Sequence, residues 1–581
     1  MRLHSQPVGA SCVTGMLNVM TRPRISPRSA IAAGKLCLTA ALTEGIGMRT
    51  RTLAVTAALV VAALLSGCSV VSSITSQKPS FPPDKTLRIV SGSENKTLEP
   101  IIADFAKANG VDVHMTYQGS VDIMNAVRDG APAFDAAWPA NSIWLAMGDD
   151  KHIVKSQQSV MVSPVVFGVR QSKAQELGWV GKDVTVADIL AAIQAKKLRF
   201  MMTSATQSNS GASAYLGFLY ALLGHPDQIT VADLTKPELK TQLKTILSGV
   251  NRSSGSSDWL KDLYLSAPDR YDAMVNYESL IIATNKTLVS RGKEPLYVVY
   301  PKDGLAVADE PLAYLDHGDS AKQALFKRFQ DYMLSADTQK RIKTLGWRTE
   351  LGGVVTSPDT SVFNPAWGIA TDKPLNVIRY PKPDVITAAL ALYQTELKKP
   401  SITVFCLDFS GSMNGGGSDQ VKSAMRLLLD PAQAQQHLLQ MGTQDKVFVI
   451  PFNSQPGTVL GPDGPTTANR LIGQIDELNP DGGTDIYSPA IKALSVLAPY
   501  STDANTLSIV LMTDGDSNTG ASLGDFKRAN AATGRDIPVF SIMFGDAKPD
   551  QLNALATETR GLVFDGRTDL VGAFKKVRGY N

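Results

Sequence analysis

The 581-residue chain has only six histidines, and none falls in a His-Glu-x-x-His frame, so a zinc hydrolase of that kind is excluded. It lacks a Gly-x-Ser-x-Gly elbow and a Gly-x-x-x-x-Gly-Lys-Ser/Thr loop, which removes two more catalytic classes. Gly415-Gly416-Gly417 looks like a phosphate cradle, but no lysine follows where one is needed. A paired-carboxylate enzyme is the catalytic class left open, and the expectation is a binding protein rather than an enzyme. Cysteine is scarce. Of Cys12, Cys37, Cys68 and Cys406, only the last lies inside a predicted domain, so no intramolecular disulfide framework is available and Cys406 is expected in the core. There is no basic stripe, hence no expectation of nucleic acid.

The front of the chain carries targeting signals. Arg49 and Arg51 make a basic start, and the uncharged apolar stretch Thr52 to Leu65 is too short for a comfortable membrane span but right for a signal peptide. It ends in Leu65-Ser66-Gly67-Cys68, which resembles a bacterial lipobox. The resemblance implies cleavage before Cys68, lipidation of its thiol and an extracytoplasmic, membrane-anchored protein. Residues 1–47 fit none of this and read as a start assigned too far upstream, or as an unusually long leader. The full chain carries +3; residues 1–67 hold seven basic residues and one acidic, leaving about −3 on the mature chain.

At the other end, Asp408-Phe409-Ser410-Gly411-Ser412 follows the apolar run Ile402 to Leu407, and two more segments recur downstream: Gly482-Gly483-Thr484-Asp485 and Leu511-Met512-Thr513-Asp514-Gly515. A carboxylate and two hydroxyls at alternate positions after a buried strand direct oxygens at one spot, which suits a small hard cation such as Mg²⁺. A helix cap accounts for one of these residues, not for all. An EF-hand reading of Asp514 to Asp525 meets Thr519 where glycine is needed, and a strand precedes it instead of a helix. The three-part pattern resembles the von Willebrand factor A family and its metal-ion-dependent adhesion site, over roughly residues 400–581. The resemblance implies that Asp408, Ser410, Ser412, Thr484 and Asp514 hold Mg²⁺ or another divalent cation, directly or through water. It also implies an open position for a carboxylate from a protein partner.

Between these ends, strand and helix patterns alternate. Leu87 to Val90 is a strand ending in Ser91-Gly92-Ser93-Glu94; a helix with Leu98, Ile101, Ile102 and Phe105 follows, then a strand over Val111 to Tyr117 and a helix after Gly119-Ser120. This βαβ progression predicts a parallel sheet covered on both faces. Its order resembles bacterial extracytoplasmic solute-binding proteins of the type-2 periplasmic-binding fold. That resemblance implies an inserted second lobe (Arg199 to Thr203, Thr206 to Tyr215, Asp272 to Thr284) and a return to the first lobe beginning near Tyr297. The loop Thr206 to Ser213 is expected to offer amides and hydroxyls to an anion.

Candidate cleft residues lie at predicted strand ends: Ser91, Ser93, Glu94, Gly119, Ser120, Asn141, Asn209, Ser210, Gly211, Tyr277 and Glu278. The solute is expected to be small and polar or anionic, although Glu94 and Glu278 argue against a bare oxyanion.

The expected organisation is a leader over 1–67, a lipidated cysteine and tether over 68–84, a two-lobed periplasmic-binding-protein-like region over 85–400, and a doubly wound, Rossmann-like α/β domain over 401–581. The expected function is metal-bridged binding of a protein partner by a membrane-anchored lipoprotein. The alternative is the solute-binding component of an ABC-type importer with an accessory C-terminal domain.

Overall fold

The computed structural model describes residues 81–579 apart from 373, 437, 568 and 569. The lipobox, Cys68 and most of the tether lie outside the described residues.

The first lobe starts with β1 (Thr86–Gly92), β2 (Asp112–Gln118), β3 (Ala136–Trp138) and β4 (Val154–Ser159). Alternation along β1 sends Leu87 and Ile89 to one core and Val90 to the other. The helix Glu99–Asn109 covers the first core through Ile101, Ile102 and Phe105. The helix Ser120–Arg128 covers the second through Ile123 and Val127.

The second lobe is built on β5 (Ser163–Arg170), β6 (Phe200–Thr203), β7 (Val250–Ser254), β8 (Ala273–Tyr277), β9 (Leu296–Val299) and β10 (Val307–Ala308). Its sheet runs β10-β5-β8-β6-β7, with β9 also on β5. The chain then returns through β11 (Pro311–Leu315), which enters the first sheet between β3 and β4 to give β2-β1-β3-β11-β4. The expected return near Tyr297 is therefore corrected. β9 pairs antiparallel with β5 in the second sheet, and the crossing to the first lobe comes after Ala308. The two crossing segments are bonded where Val160 N–H donates to the Glu310 carbonyl at 3.2 Å.

The C-terminal sheet contains β12 (Ser401–Asp408), β13 (Lys446–Phe452), β14 (Leu460–Asp463), β15 (Thr506–Thr513), β16 (Val539–Met543) and β17 (Val563–Asp565), in the order β14-β13-β12-β15-β16-β17. All pairs are parallel except β13 with β14. Central β12 is buried throughout. Ile402, Val404 and Cys406 join the core on one face, Phe405 and Leu407 the core on the other. That is the doubly covered arrangement that near-continuous apolar strands require. Cys406 is a free, buried thiol whose pKa burial pushes up.

The last helix, Leu570–Gly579, lies against the two-lobed region. The Gln207 side-chain amide donates to the Lys575 carbonyl, and Ser253 Oγ donates to the Gly579 carbonyl at 3.4 Å. Nearby, Asp536 takes Arg252 of the second lobe at 3.0 Å and accepts the Tyr271 hydroxyl at 3.0 Å.

Candidate functional site

Two sets of sequence-predicted residues are gathered by the fold. In the C-terminal domain, β12 ends on Asp408 and β15 on Thr513, side by side in the sheet, so the loops that follow emerge at one edge. The buried Asp408 carboxylate accepts the Ser410 N–H at 2.8 Å on Oδ1 and the Thr513 hydroxyl at 2.6 Å on Oδ2. Ser410 and Ser412 hydroxyls are 3.1 Å apart, and Ser412 Oγ donates to Asp514 Oδ1 at 2.7 Å.

Thr484 comes from a third loop. A Cβ placed on Gly515 would lie 3.7 Å from Thr484 Oγ1 and 3.8 Å from Ser412 Oγ, which sets both hydroxyls beside the Asp514 turn. The first and third loops are laced together by Gly411 N–H to the Gly482 carbonyl at 2.9 Å and Asp481 N–H to the Phe409 carbonyl at 2.9 Å. Gly482 takes φ +75°, a left-handed conformation that glycine adopts without strain.

The electrostatics of this cluster favour a cation. Burial raises the pKa of Asp408, and the Asp514 charge raises it further. Burial also raises Asp514, with a contribution from Asp546. Two desolvated carboxylates and three hydroxyls form an all-oxygen set that fits a hard divalent ion, whose charge would relieve the repulsion. Among the described residues no group of three or more His, Cys, Asp or Glu side chains could hold a metal. Any cation here would therefore depend on the serine and threonine hydroxyls. Thr513 is absent from the predicted ligand set; its place directly before Asp514, at the end of β15, is the signal that could have found it.

The second set lies at the seam between the two lobes, where every predicted cleft residue is buried. Ser93 Oγ accepts the Ser256 hydroxyl at 2.9 Å and the Asp258 N–H at 3.2 Å from the opposite lobe. Gly119 faces Gln207 so closely that a Cβ would sit 2.1 Å from its carbonyl oxygen, and that oxygen accepts the Val121 N–H at 3.0 Å. Ser91 Oγ accepts Asn95 Nδ2 at 3.2 Å, and Ser120 Oγ accepts the Ala140 N–H at 3.1 Å.

Asn141 caps its helix through Ile143 N–H at 3.0 Å. Asn209 accepts Trp144 Nε1–H at 2.7 Å and donates to the Tyr277 hydroxyl at 3.1 Å. Ser210 Oγ lies 2.8 Å from both Thr203 Oγ1 and Ser257 Oγ. Gly211 N–H donates to Thr203 Oγ1 at 2.8 Å. The loop expected to present free donors to an anion thus has these groups engaged with the protein itself.

Glu278 departs from expectation in a different way. Its carboxylate is locked on the guanidinium of Arg348 by two hydrogen bonds of 2.7 Å, both side chains fully buried, and Tyr300 donates its hydroxyl to the same carboxylate. The guanidinium also donates to the carbonyls of Gly353 and Ala370, tying down the segment that follows the first lobe. Residues at the seam that sequence reasoning did not single out include Asn95, Ser256, Asp258 and Glu310. Glu310 lies in Ala308-Asp309-Glu310-Pro311, where an acidic pair at a lobe crossing was the available signal.

Comparison with known proteins divides the chain in the same way. Residues 87–348 match the family described as bacterial extracellular solute-binding protein, and residues 403–570 match the von Willebrand factor type A domain. Inter-alpha-trypsin inhibitor heavy chain H2 of Mesocricetus auratus is 29% identical over 191 residues, covering 30% of this chain and 19% of that protein. Heavy chain H3 of Bos taurus is 26% identical over 192 residues, covering 31% and 21%. The chain thus spans about a fifth of the length of these relatives.

Among solved structures, the sulfate-binding protein SubI of Mycobacterium tuberculosis is 19% identical with a TM-score of 0.35, covering 46% of this chain and 87% of that one. A von Willebrand factor type A structure from Catenulispora acidiphila is 18% identical with a TM-score of 0.27, covering 31% and 42%.

Proposed function

Because the chain carries a bacterial extracellular solute-binding region joined to a von Willebrand factor type A domain, we propose that it acts outside the cytoplasm as a lipid-anchored binding protein. Its C-terminal domain takes a protein partner through a Mg²⁺-dependent adhesion site. The observation that carries this reading is the convergence of Asp408, Ser410, Ser412, Thr484 and Asp514 from three loops, centred on the 2.7 Å bond from Ser412 to Asp514. The ion supplies the positive charge that lets a partner carboxylate approach two acidic side chains. Asp408 and Asp514 provide the negative charge that holds such an ion, and the hydroxyls complete the oxygen set. Thr513 and the Ser410 amide fix the orientation of Asp408. Cys68 provides the membrane attachment through its lipidated thiol.

The test is a pull-down from envelope extract with the detergent-solubilised full-length protein, in Mg²⁺ and in EDTA, beside Asp408→Ala. A partner retained only by wild type in Mg²⁺ supports the reading; a partner retained equally in all arms refutes it.

The two-lobed seam supports a role in taking a small solute, and with it the second reading, an importer's binding component. Neighbouring permease and ATPase genes, and uptake lost on deletion, would favour that reading.

A further inference from the structure

The seam between the lobes contains acidic groups that no cation among the described residues neutralises. Glu94, on the turn after β1, and Glu310, on the crossing segment before β11, are both buried, and each has one carboxylate oxygen without a hydrogen-bond partner. The Oδ1 of Asn95, also buried, is likewise unpartnered, while Asn95 Nδ2 donates to the other Glu310 oxygen at 3.2 Å. The nearby Asp258 differs: Lys261 sits 2.8 Å away and Lys96 3.9 Å away. Among the described residues neither Glu94 nor Glu310 has such a cation.

The placement of Glu310 is deliberate in structural terms. It takes φ +42°, an uncommon conformation for a residue with a long side chain. It is held there by its N–H to the Ala140 carbonyl at 3.1 Å and by Trp138 Nε1–H on its own carbonyl at 3.1 Å. The second lobe contributes Tyr277, whose hydroxyl feels the charge of both carboxylates. Burial raises Glu94 to about 8 and Glu310 well above the carboxylate range, Glu310 further through the charge on Glu94. An unpaired buried carboxylate is costly, and a positive group bound between the two would remove that cost.

We propose that the interlobe seam binds an organic cation, a solute carrying a protonated amine or guanidinium, with Glu94 and Glu310 as its carboxylate acceptors and Asn95 Oδ1 as a further acceptor. This rests on the reading of the two-lobed region as a solute binder and assigns the charge class of the solute. An ammonium or guanidinium donates several N–H bonds outward, which matches three unpartnered oxygens. A bare metal ion fits less well, because among the described residues no three His, Cys, Asp or Glu side chains converge on one point. An oxyanion could be held only by the protonated forms of Glu94 and Glu310, whereas a cation draws both to the carboxylate form and leaves the Asn95 Oδ1 acceptor engaged.

The experiment is a thermal-shift and calorimetric screen of the full-length protein. The probes are lysine, arginine and putrescine; sulfate, phosphate and malate; maltose; and Mg²⁺, Ca²⁺ and Zn²⁺. At least one amine or guanidinium compound is expected to bind, with affinity falling at least tenfold in Glu94→Gln and Glu310→Gln, which keep side-chain volume. A cooperative unfolding transition and wild-type circular dichroism in both variants would show that they remain folded. Binding of sulfate, phosphate, malate or maltose in place of any amine would overturn the charge assignment and leave the solute-binding reading standing. A divalent ion lost on Glu94→Gln would make this a metal site instead and also overturn the proposal. No binding by any probe would overturn both the proposal and the solute-binding reading, while Asp408→Ala tests the adhesion reading separately.

Discussion

Ser412 donates its hydroxyl to Asp514 at 2.7 Å across 102 residues of chain, and this bond joins the first and last loops of the oxygen cluster. It exists because β12 and β15 are parallel neighbours in register, with Leu407 beside Met512, so that the chain leaves both strands at the same edge.

Affinity for Mg²⁺ should depend on pH in a defined direction. Asp408 and Asp514 have raised pKa values, so acidification protonates them sooner than ordinary carboxylates, and calorimetry on the full-length protein should show binding weakening before the usual carboxylate range is reached. Asp408→Ala should abolish binding. Thr513→Val, which removes the hydroxyl that orients Asp408, should lower affinity roughly 10-fold to 100-fold. Wild-type affinity in Thr513→Val would show that this contact does not matter for the ion.

Arg348→Ala should destabilise the protein severely. It leaves the Glu278 carboxylate buried without its partner, a loss of about 3–5 kcal/mol for pairs of this kind. Denaturant unfolding would measure it. A loss below about 1 kcal/mol would mean that the pair is not held as described.

Stability should respond to pH through Glu94. Its folded-state pKa of about 8 lies above the ordinary value of 4.5, so its stabilising contribution is complete below the ordinary value and is lost as pH rises through about 8. Melting temperature without added ligand should fall over that window in wild type. In Glu94→Gln the fall should be shallower, and identical profiles would contradict the burial of an ionisable carboxyl at this seam.

Cys68→Ser should release the protein from membranes and abolish fatty-acid labelling. No helix among the described residues is long and apolar enough to cross a membrane. Wild-type protein that fractionates with membranes without incorporating label would refute lipid attachment.

The elements legible in the sequence were those with strong apolar patterning. β1, β12, β15 and β16 read as strands because each is an apolar run bounded by turn residues. β4 was not legible, since Lys155-Ser156-Gln157-Gln158-Ser159 has no buried face and forms a strand only by pairing with β11. The short β14 and β17 were missed for a related reason: each has three or four residues and depends on a neighbouring strand. The C-terminal loop cluster was legible because its residue types recur at fixed spacing. The partner of Glu278 was not, because Arg348 lies 70 residues away and only the tertiary fold selects it from the other arginines. Glu310 offered only the acidic pair it forms with Asp309; that this pair sits where the chain crosses between the lobes follows from the tertiary fold.

Gln207 holds three parts of the chain at once. Its carbonyl accepts Val121 N–H from the first lobe, its side chain donates to Lys575 in the last helix, and its backbone belongs to the second lobe. Beside it, Asp122 of the first lobe is raised to about 7 by burial, and Lys575 and Lys576 oppose the shift. The last helix is therefore mechanically in parallel with the lobe–lobe contact. A rotation that parts Val121 from Gln207 also moves one of the helix's anchoring points. By thermodynamic reciprocity, any change in the lobes' opening equilibrium that loosens the helix must be matched by an equal effect of helix position on that opening.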